Sequence, residues 1–311
     1  MRVLIAGCGY VGTALGTALC ALGHQVAGIR RPGGDPAPMR AAGIEPLHAD
    51  LSRRGDLDSL PASWDWVVAC AAPSEGGEAA YRSVYLEGLR NLVDWLTPRP
   101  PSALVFTGST GVYPQTDGSD VDESAATEGA SATGAVLLQA EEVLTAAAAR
   151  GFPAVILRIS GIYGPGRNRI ASMLRGEAGP VGNGERWMNM VHPDDLVAAI
   201  LAALQRGRPG AVYNISDGAS CTEAAFYEWL GKRLGRPDPA ESPGRGVSPG
   251  APSTGRRGRG QANRRIIAER ARRELGWEPR HPDFRSGYEQ VIRAMEEVGW
   301  LFPPGASVEG R

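Results

Sequence analysis

The chain has 311 residues, 42% of them apolar and 22% charged, and a net charge of −1. That is enough for one large α/β domain or a core with a smaller lobe, and the charge balance offers nothing global to nucleic acid or an anionic membrane. Four scattered cysteines without C-x-x-C spacing or histidine neighbours give no metal expectation; a core strand at the N-terminus and a longest apolar stretch (Leu196–Leu204) too short for a bilayer give a cytoplasmic expectation with no membrane partner.

Arg2 to Ala6 is a short apolar run of strand type, and Gly7-Cys8-Gly9-Tyr10-Val11-Gly12 follows with the spacing G-x-G-x-x-G. Thr13 to Leu22 then carries Ala14, Leu15, Ala18, Leu19 and Leu22 at helical spacing. Strand, glycine turn and helix in that order are what a dinucleotide site needs. One glycine makes the turn, the second lets backbone approach a pyrophosphate, and the third lets helix and strand pack closely. The helix N-terminus presents unpaired N–H groups to the phosphates, so Gly7, Gly9, Tyr10, Val11 and Gly12 are candidate cofactor residues.

The second strand is predicted over His24–Arg30. A carboxylate at its end would accept from an adenosine 2′-hydroxyl; Arg30 and Arg31 stand there instead, which favours a 2′-phosphate and NADP(H) over NAD(H). The plainer alternative is two solvated arginines. Ile44–Ala49 is the third strand, followed by Asp50-Leu51, where a carboxylate could take the adenine amino group or simply cap a turn. Trp66–Ala72 is the fourth strand; its small residues, Ala71 and Ala72 among them, leave room for a cofactor or pack closely. Tyr81–Leu96 is a predicted helix, Ala103–Thr107 the fifth strand, Thr133–Arg150 an alanine-rich helix and Ala154–Ile159 the sixth strand. The alternation gives an α/β fold with a Rossmann-type doubly wound parallel sheet.

Past about residue 170 the pattern loosens. Helices are predicted over Pro193–Leu204, Thr222–Leu234, Ile266–Leu275 and Tyr288–Val298, with a short strand at Val212–Ile215. Asp238 to Gly260 is rich in Pro, Gly, Ser and Arg and is expected to be a mobile loop. The expected organisation is a dinucleotide-binding core over 1–170 and a smaller substrate lobe over 171–311, with 188–204 returning to the core. Arg256, Arg257, Arg259, Arg264 and Arg265 form a basic run without aromatic interleaving. A solvated loop is the plain reading, a fold over an anionic substrate or the cofactor another, and nucleic-acid binding is not expected.

Gly7–Gly12, Asp50-Leu51, Tyr85–Gly88, Ser109–Tyr113, Arg158–Arg167, Asn189–Asp195, Tyr213–Asp217 and Leu275–Pro279 together resemble the extended short-chain dehydrogenase/reductase superfamily, which holds sugar-nucleotide epimerases and dehydratases. The resemblance covers nearly the whole chain. It implies a dinucleotide-binding oxidoreductase with a small-molecule substrate, and a homodimer through the helices flanking the sheet. It also implies a Ser or Thr after the fifth strand, here Ser109, and a Tyr-x-x-x-Lys on the next helix. The tyrosine is the acid/base and the lysine lowers its pKa. Here those two positions fall on Thr133 and Leu137, so the chain resembles the atypical branch that lacks the pair. Tyr85 stands where the family usually has Asn.

Ser109, Tyr113, Thr133 and His192 are therefore the catalytic candidates. Tyr163 is assigned to the cofactor cleft and is a further candidate donor, as are Asp122 and Glu123. Tyr85, Arg167, Arg186, Trp187 and Asn189 are assigned to the substrate. Tyr113, Tyr163 and His192 have structural alternatives, packing beside the cleft or organising the 186–195 segment. The functional expectation is an NADP-dependent oxidoreductase acting on a small molecule. Reduction of an imine or carbonyl is favoured, because an imine needs less acid help than a ketone. The alternative is a non-catalytic NAD(P)-binding sensor or assembly protein.

Overall fold

The computed structural model of the chain describes residues 1–235 and 262–300. The expected loop at 238–260, with Arg256, Arg257 and Arg259, lies outside the described residues. Seven parallel strands form the main sheet: β1 (Arg2–Ala6), β2 (Gln25–Arg30), β3 (Glu45–His48), β4 (Trp66–Ala69), β5 (Ala103–Ser109), β6 (Ala154–Ile159) and β7 (Val212–Ile215). Their order is β3-β2-β1-β4-β5-β6-β7. The order reverses at β1, between β2 and β4, and ligands of open α/β sheets bind outside the carboxyl ends of strands at such a switch point.

Strands buried on both faces read as continuous apolar runs, and here the period of two sorts them. Val3, Ile5, Val105, Val155 and Leu157 point into one cluster, shared with α1 (Tyr10–Ala21) and α4 (Pro193–Arg206). Leu4, Ala6, Leu104, Phe106 and Ile156 point into the other, with α2 (Gly88–Leu96) and α3 (Ala132–Ala148). A third cluster joins Tyr163, Ile170, Met188 and Met190 to residues of α5 (Glu223–Arg233), Phe226 and Tyr227 among them, and of α7 (Phe284–Glu297), including Phe284 and Tyr288. Between α5 and α7 lies α6 (Glu269–Leu275), whose Ala271 and Leu275 pack in the first cluster. No helix among the described residues is long and apolar enough to cross a membrane.

Several boundaries differ from the sequence expectation, each for a local reason. α1 begins at Tyr10, three residues early, because the glycine turn itself delivers the first helical N–H groups. The Tyr81–Leu96 segment is interrupted by a six-residue π-helical turn, Arg82–Glu87. Ile266 is not helical; Arg265–Ile266 pairs with Asp120–Val121 as a two-residue strand. α7 starts at Phe284 because the Asp283 carboxylate accepts the Ser286 N–H at 2.9 Å and caps it.

Candidate functional site

The glycine turn sits where β1 ends. Cys8 N–H donates to Ile29 O at 2.9 Å, which ties the turn to β2. Gly7 has φ +103, and a Cβ there would lie 2.2 Å from Ala71 N. Only glycine suits that backbone and that approach. A Cβ on Gly12 would meet Gly7 O at 2.7 Å and the Ile5 side chain at 2.9 Å, so this glycine lets α1 lie on β1. At Gly9 a Cβ would meet nothing within 4 Å. The open glycine is the one next to the helix N-terminus, and no side chain caps the first N–H groups there. That is the surface an anionic pyrophosphate requires, so the residues present fit a dinucleotide.

At the end of β2, Arg30 Nη1 donates to Asp35 O at 3.2 Å and Arg31 Nη2 donates to Ser74 Oγ at 3.1 Å. Neither is paired with a carboxylate among the described residues. Asp50 Oδ1 accepts from Ser52 N–H at 3.0 Å and from Ser52 Oγ at 2.7 Å, making a local turn. Burial pushes its pKa up, but the Ser52 bonds and the nearby Arg53 and Arg31 charges win and hold it below the usual range. Leu51, Ala71 and Tyr85 line one small cleft with Ala6 and Ala69, the last residues of β1 and β4; Ala72, next to Ala71, is exposed. Tyr85 is thus grouped with the glycine-turn side of the sheet, on the π-helical turn and edge-on to Phe106, rather than with the other residues assigned to substrate.

Tyr10 and Arg167 also meet here. Tyr10 Oη donates to Pro165 O at 3.0 Å, and the Arg167 guanidinium lies over the Tyr10 ring at 5.8 Å. The exposed Arg167 therefore stands beside the glycine turn.

Ser109 ends β5, and its Oγ accepts the Gly111 N–H at 3.0 Å, opening the 3-10 turn Thr110–Val112. Thr133 lies in the first turn of α3, with its Oγ1 3.2 Å from Ser131 Oγ. The helix abuts the Ser109 turn closely: a Cβ on Gly134 would be 2.7 Å from Gly111 O. Ser109 and Thr133 are therefore brought to adjacent segments. Leu137 is 2% exposed and packs with Val112, Tyr113, Val121 and Ile266. The place of the family's ammonium is part of an apolar cluster.

Tyr113 does not face the cleft. It is 2% exposed; its Oη donates to Asn214 Oδ1 and accepts from Arg158 Nη1, both at 2.8 Å. Arg158 in turn holds Glu141 through Nε at 3.0 Å and Nη2 at 2.7 Å. Burial raises the Tyr113 pKa, against the opposing pull of Arg158 and Asn214. The 3-10 turn after Ser109 is what swings this ring inward. Tyr163 is likewise buried, its ring stacked on Tyr288 at 4.8 Å in the cluster with α5 and α7.

His192 is 1% exposed and caps α4, its Nδ1 accepting the Asp194 N–H at 3.4 Å. Burial and the neighbouring His281 hold its pKa below the ordinary value, against Asp194 and Asp195. His192, Asp195 and His281 form a cluster that the sequence did not suggest. The Asp195 carboxylate already accepts from Arg280 N–H at 2.7 Å and from His281 N–H at 3.1 Å, and lies 2.9 Å from His281 Nδ1. These bonds tie α4 to the chain before α7.

The residues assigned to substrate also carry structure. Arg186 is ion-paired with the buried Glu223. Asn189 Nδ2 donates to Arg264 O at 2.9 Å, and its Oδ1 accepts from Ser220 Oγ and Ile266 N–H, both at 2.7 Å. Trp187 N–H donates to Asn263 Oδ1 at 2.9 Å, and the Trp187 ring lies under Arg265 at 5.2 Å. These bonds stitch 187–189 to 263–266 and bring the buried Arg264 against the Ser109 turn, a placement that sequence spacing of more than 150 residues does not reveal. Of the two described members of the basic run, Arg264 points inward. Asp122 and Glu123 lie elsewhere: Asp122 binds Ser124, and Glu123 accepts the Asn214 N–H at 2.7 Å.

The NAD-dependent epimerase/dehydratase family profile matches residues 3–216. The chain is 30% identical over 243 residues to the protein YeeZ of Escherichia coli K12, covering 76% of this chain and 85% of YeeZ. A structure from Methylobacillus flagellatus assigned as an NAD-dependent epimerase/dehydratase superposes with a TM-score of 0.74 at 31% identity, covering 95% of this chain and 98% of that one. A dTDP-glucose 4,6-dehydratase from Streptomyces venezuelae, solved with NAD bound, shares the fold with a TM-score of 0.78 at 22% identity, covering 96% and 98%. With its profile spanning more than half the chain, this protein belongs to the NAD-dependent epimerase/dehydratase family.

Proposed function

We propose that the protein is an NADP(H)-dependent oxidoreductase that reduces an imine or carbonyl in a small molecule. The coarser part follows from the family: a nicotinamide-dinucleotide enzyme of oxidoreductase or epimerase-like type. A related UDP-glucose 4-epimerase from Corynebacterium glutamicum, 26% identical over 97% of this chain, acts on a nucleotide sugar. The observation that carries the finer reading is the open Gly9 backbone beside α1 together with Arg30 and Arg31 at the end of β2. Gly7, Gly9 and Gly12 with the first α1 N–H groups would hold the pyrophosphate, Arg30 and Arg31 a 2′-phosphate, and Leu51 and Ala71 the adenosine end. The reduced dinucleotide supplies a hydride when bound.

The chain's own residues must orient the substrate and, for a ketone, supply one proton. Ser109 and Thr133 offer hydroxyls, and no phenol or ammonium stands beside them at the family's positions. An alkyl alcohol is too weak an acid to replace a phenol near neutral pH. A protonated imine arrives with its proton on nitrogen and becomes an amine on gaining a hydride, so it asks no acid of the protein; a ketone needs a proton as well. We also propose that residues 1–170 form the dinucleotide core, with the cluster of α5 and α7 covering the substrate side.

The test is consumption of NADPH and of NADH by the purified protein with cyclic imines and matched ketones. Faster turnover with NADPH and with imines is the expected result. A preference for NADH, or no consumption of either, counts against the reading.

A further inference from the structure

A buried charge needs a counter-charge. The buried Arg158 has Glu141, and the buried Glu223 has Arg186. Arg264 has no carboxylate among the described residues. It is 8% exposed; Nη2 donates to Thr110 O at 2.7 Å, and the buried Nη1 has no hydrogen-bond partner among the described residues. Its flanks are fixed. Asn189 Nδ2 holds the Arg264 carbonyl, Asn189 Oδ1 takes the Ile266 N–H, and Arg265 N–H donates to Ser119 O at 2.9 Å. The guanidinium is thus committed to this position by the backbone on both sides.

That position is the turn that carries the site's hydroxyls. Thr110 directly follows Ser109 at the carboxyl end of β5, and α3 with Thr133 presses on Gly111. We infer that Arg264 is the anion anchor of the substrate site. An oxyanion group on the substrate, carboxylate or phosphate, supplies the missing counter-charge at Nη1 while Nη2 keeps its hold on Thr110. A neutral carbonyl would leave the guanidinium uncompensated, whereas an anion neutralises it and gains a charge-assisted hydrogen bond. The burial that lowers the Arg264 pKa in the absence of a counter-charge is the same burial that would strengthen such a bond. This inference rests on the oxidoreductase reading of the cleft and adds the substrate class: small molecules bearing an anionic group.

The experiment is calorimetric and thermal-shift titration of the full chain, with and without NADPH. The probes are acetate, pyruvate, benzoate and inorganic phosphate, against acetamide and benzamide at constant chloride ionic strength. At least one anion binds and raises Tm while its neutral counterpart does not. Arg264→Met weakens that binding tenfold or more, and Arg264→Lys retains part of it. A response to carboxylates alone or to phosphate alone identifies the group. Equal responses of wild type and Arg264→Met to every anion overturn the inference. Arg264→Gln, which keeps a donor for Thr110, replaces the Met variant if that one does not fold. NADPH binding is read in the same samples. If it is intact while the anion response is independent of Arg264, only this inference fails; if it is absent, the dinucleotide reading fails, and the titration without NADPH still decides the role of Arg264.

Discussion

Tyr113→Phe separates a structural tyrosine from a catalytic one. The substitution removes one oxygen from a residue that is 2% exposed. Asn214 Oδ1 loses its donor and Arg158 Nη1 loses its acceptor, both at 2.8 Å, while Glu141 continues to hold the rest of the guanidinium. Leaving a buried polar atom unsatisfied costs about 1–3 kcal/mol, with the upper end for a charged donor. The two losses share one site and are not additive, so a total of about 2–4 kcal/mol is expected. At about 2–4 °C per kcal/mol for a domain of this scale, Tm falls by roughly 4–16 °C. Differential scanning calorimetry measures the shift, and dinucleotide titration well below the transition checks the site. The expected result is lower Tm with dinucleotide affinity and turnover within about twofold of wild type, a difference of under 1 kcal/mol. Unchanged Tm with turnover reduced by a hundredfold or more would refute the structural assignment and make Tyr113 the proton donor.

Arg30→Ala removes a cation at the end of β2. With about 1.5–3 kcal/mol per charge-assisted bond, NADPH affinity falls by about tenfold or more while NADH affinity hardly changes; equal losses for both, measured by calorimetry, would show that Arg30 contacts no 2′-phosphate. Asp217 is 1% exposed, and burial, with Asp283 and Asp195 adding to it against the Ala219 N–H, pushes its carboxyl up to about 8. The folded protein then holds a proton that the unfolded chain releases in the ordinary carboxylate range, so this contribution to stability is full at acid pH and is lost as pH rises through about 8. Urea unfolding at pH 5 and pH 8.5 is expected to show a larger loss for wild type than for Asp217→Asn; identical losses would contradict the assignment.

The sheet was legible in the sequence because parallel strands buried on both faces are continuous apolar runs bounded by turn residues. All seven strands were predicted, with shifts of a few residues at most at their ends. The glycine turn was legible for a related reason: its function is written into backbone space, which residue type controls directly. Side-chain direction was not legible. Tyr113 was a candidate donor because it follows Ser109 by four positions, yet a single 3-10 turn carries it into the Glu141–Arg158–Asn214 network. Asn189 and Arg186 are assigned to the substrate from the sequence, and the fold also has them holding neighbouring segments together. Arg264 was one of five arginines in a basic run, and the fold, through hydrogen bonds to Asn189 and Thr110, distinguishes it from its neighbours. The π-helical turn that presents Tyr85 to the small cleft has no sequence signature, since its residues fit an ordinary helix equally well.

If the Gly7–Gly12 turn holds a nicotinamide dinucleotide, Gly9→Ala weakens that binding. The position has φ −95, and nothing lies within 4 Å of a Cβ built there, so the methyl disturbs no protein contact. Surface changes of that kind stay within about 0.5 kcal/mol in stability. Titration of wild type and variant with NADPH, NADH, NADP and NAD is expected to show binding in wild type. In the variant the same titration should show a loss of about tenfold or more, equal to about 1.4 kcal/mol, with Tm unchanged. Full-strength binding by Gly9→Ala, or no binding of any of the four by wild type, would contradict the account.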